Sequence, residues 1–244
     1  MFCPYKCYFF MNDHPGHYPP RFPEAPLPEG RQTQPPLKVK SKNISYKKNY
    51  IDVNLNIPVL SDGANNKNVD YINKSVENDI TEFKNQIEEG AEHDMQEAKA
   101  KGKTMQPYRA SNVYEITYNK NGIISLSLLY NVLLNGLNNY VKTGYTYDLN
   151  TGKALSIGDL FRPGTNYTQI LNNEIRNELA SKKYSPSAVS SFPGIAADQP
   201  FYLRNNSLDV FFGFNEVAPV SAEIPIISIP LSKLSSVLKP GILQ

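Results

Sequence analysis

The chain has 244 residues, 40% of them apolar, with sixteen tyrosines and no tryptophan. That is enough for one large domain or two small ones with a core that needs no covalent staples. Its 25 basic and 23 acidic residues leave a formal charge of +2, too weak a field to draw in nucleic acid or an anionic membrane. The two cysteines, Cys3 and Cys7, sit at the very start and cannot cross-brace the body, which excludes a disulfide-built secreted scaffold.

No apolar run approaches the ~20 residues of a membrane-crossing helix, so no membrane span is expected. The opening "MFCPYKCYFFMNDHPGHYPP" is interrupted by Pro4, Lys6 and Asp13 and does not read as a signal peptide. The chain as written is therefore expected in the cytoplasm or on a spore, and outside the cytoplasm if the true start lies upstream. Residues 1–37 hold nine of the nineteen prolines. Proline this dense removes amide donors and fixes φ, which predicts an extended, polyproline-like tail. Cys3, Cys7, His14 and His17 within it could supply a tetrahedral zinc set. Their spacing is not that of a standard finger, and the segment lacks the apolar residues that pack around one. An oxidisable, adhesive tail is the favoured reading, with no metal or cofactor expected.

From Leu37 the pattern alternates. "LKVKSKNISYKKNYIDVNLNIPVL" predicts two strands, with Ile51, Val53, Leu55 and Ile57 on one sheet face. "SDGANNKN" breaks the second strand and offers capping side chains. Val69, Ile72, Val76, Ile80, Phe83 and Ile87 then recur at helical spacing, with Glu77, Glu82, Lys84 and Glu88 assigned to the solvent side. Gly90 weakens this helix, which is expected to run on until Gly102 and Pro107. "NVYEITYNKNGIISLSLLYNVLL" reads as a hairpin turning at Asn119 to Gly122, and "YVKTGYTYDL" as a third strand. "TNYTQILNNEIRNELASKK" predicts a second helix capped by Thr165 or Asn166. "FYLRNNSLDVFFGF" is a hairpin turning at Asn205 and Asn206, "EIPIISIP" the last strand and "LSKLSSVL" a short closing helix. The fold class implied is α+β: a largely antiparallel sheet carrying two main helices and a short C-terminal one.

Between Tyr145 and Phe161, "YTYDLNTGKALSIGDLF" sets charges at fixed places. Asp148 can accept backbone N–H bonds across a turn that Asn150 and Gly152 make possible. Lys153 can lie beside Asp148 as a solvated ion pair, and Asp159 can cap the turn before Leu160 and Phe161. Asp148, Gly152, Lys153, Asp159 and Phe161 thus form a structural motif. An acid/base role for Asp148 and Asp159 lacks a neighbouring nucleophile or metal ligand.

This stretch, with the helix after it, "FYLRNNSLDVFFGFNEVAP" and "IPIISIP", resembles the C-terminal module of the RsiV-like family. In that family an extracytoplasmic anti-sigma-factor domain binds lysozyme. Residues from about 39 to 118 resemble the module ahead of it, which also opens some peptidoglycan deacetylases of the PdaC type. The resemblance implies a tail (1–37), an N-terminal module (38–118) and a C-terminal module (119–244), the last two reading as one compact unit. Two loops depart from the family pattern: "LLNGLNNYV" in place of a Gly-Gly-Ala-His-like turn, and Val220 to Glu223 after Ala218-Pro219.

No catalytic residue is assigned. His14 and His17 lie in the tail and His93 at the far end of the long helix, and no nucleophile elbow, P-loop, dinucleotide fingerprint or H-E-x-x-H occurs. Tyr114, Tyr118, Tyr130, Tyr140, Tyr145 and Tyr147 read either as half-buried strand residues or as an aromatic binding face. Three functions follow. The first is a non-enzymatic recognition domain for a protein or glycan, through loops near Asn135 to Asn139 and Phe214 to Glu223, with Phe214, Glu216 and Pro219 as contacts. The second is a structural spore or envelope protein anchored by its tail. The third is a cell-wall glycan hydrolase working with paired carboxylates.

Overall fold

The computed structural model describes residues 35–63, 66–181, 189–190, 192–213, 217 and 224–242. The proline-rich tail with Cys3, Cys7, His14 and His17, and the residues Phe214, Glu216 and Pro219, lie outside them. The elements are β1 (Lys38–Lys47), β2 (Ile51–Ser61), α1 (Lys67–Ala100), β3 (Tyr108–Lys120), β4 (Ile123–Leu134) and β5 (Leu137–Asp148). After a 3-10 turn (Ile157–Leu160) come α2 (Tyr167–Ser181), β6 (Phe201–Leu203), β7 (Ser207–Phe211), β8 (Ile226–Pro230) and α3 (Leu231–Leu234).

The α+β class stands, with two sheets in place of one. A five-stranded sheet runs β1-β2-β3-β4-β5 and a three-stranded antiparallel sheet runs β6-β7-β8. The larger is mixed, because β2 and β3 pair in parallel from Ile51↔Tyr108 to Asn54↔Ser111. Parallel neighbours need a long crossover, and α1 supplies it.

Two compact units emerge from the contacts, one holding residues 36–115 and 127–143, the other 116–126 and the chain from 144 onward. Strands β3, β4 and β5 contribute residues to both. In the first unit, Asn66 caps α1 by accepting the Asn68 N–H at 3.0 Å. The helix buries Val69, Ile72, Val76, Ile80, Phe83, Ile87, Gly90 and Ala91. Gly90 does not break it, since small residues are what a tightly covered turn accepts. Facing this stripe, β2 buries Ile51, Val53, Leu55 and Ile57. Phe83 packs on Tyr130 with ring centroids 4.0 Å apart. Where β3 leaves β2, the Asn112 side chain continues the ladder: its Oδ1 accepts the Asn56 N–H at 2.6 Å and its Nδ2 donates to the Asn56 carbonyl at 3.0 Å.

The second unit has its own core, including Leu160, Phe161, Leu171, Ile175, Leu179, Leu208, Val210, Ile227, Ile229 and Leu234. Asn166 receives the Gln169 N–H at 3.3 Å at the start of α2. Ser125 ties three strands: its hydroxyl bonds the Thr146 hydroxyl at 2.7 Å and the Tyr145 carbonyl at 3.1 Å, and accepts the Leu203 N–H at 2.9 Å. The main chain at Gly144 runs so close to β6 that a Cβ there would lie 2.3 Å from the Phe201 carbonyl.

Both long hairpins close on two left-handed residues, Asn121–Gly122 (φ 57° and 69°) and Asn135–Gly136 (φ 51° and 82°). The second is a correction: residues 135–139 are a tight turn and the first residues of β5, because Asn-Gly matches strand twist and needs no longer loop.

Ile80→Ala removes a fully buried side chain from α1 and is expected to cost about 2–5 kcal/mol. Tyr71→Ala, on the same helix but partly exposed, should stay within about 0.5 kcal/mol. Urea unfolding of both variants checks the pair.

Candidate functional site

The turn between β1 and β2 and the middle of α1 form the most concentrated group of interacting charges among the described residues. Tyr46, next to last in β1, reaches the helix, and its hydroxyl donates to Glu88 Oε2 at 2.5 Å. Lys48 Nζ pairs with Glu88 Oε1 at 2.6 Å and donates to the Tyr50 hydroxyl at 3.1 Å. The ammonium also sits 5.7 Å from the Tyr46 ring centroid and 5.5 Å from that of Tyr50, within cation–π range. Lys84, one turn before Glu88, approaches Oε2 at 3.5 Å. Lys84 and Glu88 are therefore largely covered, not solvent-facing as their helical positions suggest. The Tyr50 hydroxyl reaches Glu92 at 3.5 Å.

An open groove of about 220 Å³ lies here, lined by Lys48, Tyr50, Asn85, Glu88, Glu89 and Glu92. Its electrostatics follow from the pairings. The hydrogen bond to Glu88, then that to Tyr50, hold the Lys48 ammonium well above its ordinary range. Burial, reinforced by Glu88, pushes the Tyr46 phenol up as well. For Glu88, burial favours the neutral acid, but the Lys48 and Tyr46 hydrogen bonds and the Lys48 and Lys84 charges together outweigh it, and its carboxyl is held below the usual value. Each shift favours the paired state, so the cluster is an ion-pair clamp with a polar, partly aromatic rim. Tyr46 and Lys48 lie about 40 positions from Glu88, and only the helical i, i+4 spacing of Lys84 and Glu88 hinted at it.

The motif from Tyr145 to Phe161 sits in the second unit. Asp148 is only 1% exposed. Its Oδ1 accepts the N–H groups of Asn150 at 2.8 Å and Thr151 at 3.2 Å, and its carbonyl accepts that of Gly152 (φ 71°) at 2.8 Å. The Lys153 carbonyl accepts the Asp148 N–H at 2.9 Å, but its ammonium pairs with Asp159, at 3.7 Å, and not with the Asp148 carboxylate. The Asp148 carboxylate is turned inward under the turn, while Lys153 projects outward. Asp159 is the third residue of the 3-10 turn, not its N-cap. Its Oδ2 accepts both the backbone N–H of Ser156 at 2.8 Å and the Ser156 hydroxyl at 2.7 Å, the returning half of a capping box. Phe161 is buried and stacks on Tyr167, centroids 5.3 Å apart.

A further buried carboxylate went unnoticed in the sequence. Asp209 on β7, 2% exposed, accepts Arg204 Nε at 2.9 Å and the Ser207 hydroxyl at 2.7 Å. The six tyrosines form no continuous open face: Tyr118, Tyr130 and Tyr147 are buried, Tyr114 and Tyr145 are half-buried, and Tyr140 is exposed. On α1, ligand atoms of His93, Asp94 and Glu97 lie within 4.8 Å of one another. Asp94 receives the Tyr108 hydroxyl and Glu97 pairs with Lys101, so both carboxylates already serve the fold.

Residues 44–132 match the family described as deacetylase PdaC. Residues 158–232 match the family described as a protein of unknown function, DUF3298. The chain carries both domains. The clamp falls inside the PdaC-matching segment; Asp159 and Phe161 fall inside the DUF3298 segment, which begins after Asp148, Gly152 and Lys153. No curated protein matches the chain. A DUF3298 family member from Bacteroides fragilis NCTC 9343 shares its fold at a TM-score of 0.66 and 15% identity, over 86% of this chain and 96% of that one. A DUF3298 family protein from Pseudomonas aeruginosa PAO1 does so at 0.62 and 16%, over 86% and 97%. At such identities the likeness is one of fold.

The clamp gives stability a two-sided pH dependence. A lowered Glu88 pKa contributes stability that is complete above the unfolded value of 4.5 and is lost as pH falls below it. Raised Tyr46 and Lys48 pKa values contribute stability that is complete below the unfolded values of 10.0 and 10.5 and is lost as pH rises above these and through the raised folded values. In a stability–pH curve measured by urea unfolding, Glu88→Gln should remove the Glu88 contribution to the acid limb and weaken the alkaline one, where burial still raises Tyr46. In the motif, Asp148→Ala strands the part-buried N–H groups of Asn150 and Thr151 and should cost about 1–3 kcal/mol. Lys153→Ala, removing an exposed ion pair, should cost at most about 1 kcal/mol. Thermal unfolding of the two variants separates them.

Proposed function

We propose that the chain is a non-enzymatic recognition domain that binds a cell-wall-related protein or glycan. One observation carries this reading: four covered carboxylates, Asp148, Asp159, Asp209 and Glu88, are committed to the fold. Asp148 closes a turn, Asp159 completes a capping box, Asp209 holds Arg204 and Ser207, and Glu88 clamps Lys48 and Tyr46. A glycosidase needs two carboxyls facing one another across a cleft at roughly 5–10 Å, and these four serve separate structural tasks. The resemblance to the RsiV-like family supports the same reading. Shape and surface then carry recognition, with the groove rim at Tyr50, Asn85, Glu89 and Glu92 and the contacts Phe214, Glu216 and Pro219 as the competing surfaces.

The test is capture on the immobilised chain from cell-wall extract. Alanine at Phe214, Glu216 and Pro219 together, or at Tyr50 and Glu92 together, should reduce capture at least tenfold in one case and leave it intact in the other. Unchanged capture in both folded variants removes both surfaces. Hydrolysis of cell-wall glycan that Asp159→Asn abolishes without unfolding would overturn the non-enzymatic reading. A structural role anchored by the tail predicts that deleting residues 1–37 abolishes assembly into a spore or envelope layer while soluble capture persists.

A further inference from the structure

Asparagine is followed by glycine at two places in the chain, Asn121–Gly122 and Asn135–Gly136. Both pairs close hairpins in left-handed backbone, and both hold the atoms of one reaction. Glycine has no side chain to shield its nitrogen, so that nitrogen can attack the side-chain carbonyl of the asparagine before it. The two pairs differ in what holds them still.

Asn121–Gly122 is tied to its neighbours. The buried Gly122 accepts the Leu149 N–H on its carbonyl at 2.8 Å, and the Asn150 amide stands 2.9 Å from where a Cβ on Gly122 would lie. Asn121 donates to the Tyr118 hydroxyl at 3.3 Å, which in turn donates to the Ile242 carbonyl at 3.1 Å. Asn135 and Gly136 are exposed, and a Cβ on Gly136 would meet nothing within 4 Å. Leu137, the next residue, is 71% exposed. Asn135 Nδ2 donates to the Tyr108 hydroxyl at 3.4 Å, a long contact for an N–H donor.

We propose that Asn135 is a site of spontaneous deamidation whose product loosens the Tyr108–Asp94 contact, and that packing protects the identical pair at Asn121. The Gly136 nitrogen forms a bond to Asn135 Cγ, the Cγ–Nδ2 bond breaks, and ammonia leaves with the proton that the nitrogen gives up. Water then opens the cyclic imide. Its attack at Cγ leaves aspartate, and its attack at the main-chain carbonyl leaves isoaspartate, whose backbone runs through the side chain. Water enters, ammonia departs, and nothing is oxidised or reduced. The left-handed turn has to open before the ring can close, and opening is easiest where few contacts are lost.

The consequence follows from what Asn135 touches. The Tyr108 hydroxyl donates its one hydrogen to Asp94 on α1. A carboxylate at position 135 would replace an amide donor with a second acceptor for that hydrogen and set two negative charges against one hydroxyl. Isoaspartate also lengthens the backbone of a two-residue turn whose register depends on its length.

The full chain is aged in mildly alkaline buffer and read by peptide mass spectrometry, with cleavage after Tyr130 separating the two pairs. The Asn135 peptide should gain the amide-to-acid mass, with isoaspartate among its products, about tenfold or more faster than the Asn121 peptide. In urea the two rates should converge. Equal rates in the folded chain overturn the proposal, as does an Asn135 that stays intact while the urea-treated chain converts. For the product, Asn135→Asp should lower the urea midpoint, and should lower it less in an Asp94→Asn background. An Asn135→Asp chain as stable as the unmodified one, or an equal loss in both backgrounds, overturns the assigned effect on Tyr108 and Asp94.

Discussion

Two parallel strands cannot be joined by a tight turn, and β2 and β3 are parallel neighbours. The chain has to leave the sheet after Ser61 and return at Tyr108, and α1 is the path it takes. That single constraint organises the first unit. The crossover helix must lie on the sheet to bury Ile72, Val76, Ile80 and Phe83, and β2 must offer Ile51, Val53, Leu55 and Ile57 beneath it. The clamp is a by-product of the same geometry. Once α1 is laid along the sheet, its middle turns pass beside the β1–β2 turn, and Glu88 comes within reach of Tyr46 and Lys48. The parallel pairing is itself short, and the Asn112 amide extends it past the last paired residue.

Polar groups in this molecule hold backbone in place more than they address solvent. Asp148 and Asp159 satisfy N–H groups that no strand or helix reaches, Ser125 links β4, β5 and β6, and Asp209 anchors the turn between β6 and β7. In each case an unmade bond in a covered site would cost more than the made bond contributes.

Much of this was readable in the sequence where the signal is local. The apolar stripe of α1, the hairpin turns within Asn119 to Gly122 and at Asn205–Asn206, and the acceptor role of Asp148 follow from spacing and turn chemistry within a few residues. Partner identity did not follow. Period-two alternation says which face of β2 is buried, but not that β3 lies beside it in parallel or that β6 to β8 form a sheet of their own. Lys153 could be placed next to a carboxylate, but whether Asp148 or Asp159 depended on which way the turn faced. Lys84 and Glu88 looked solvated because the residues that cover them come from the end of β1 and the turn after it, some forty positions away.

The close passage at Gly144 bears on how this fold can vary. With the Phe201 carbonyl standing where a Cβ would go, position 144 refuses apolar, polar and charged side chains alike. Its restriction is one of volume and not of chemistry. Sequence drift in the second unit has to leave the point where the main chains of β5 and β6 meet without any side chain at all.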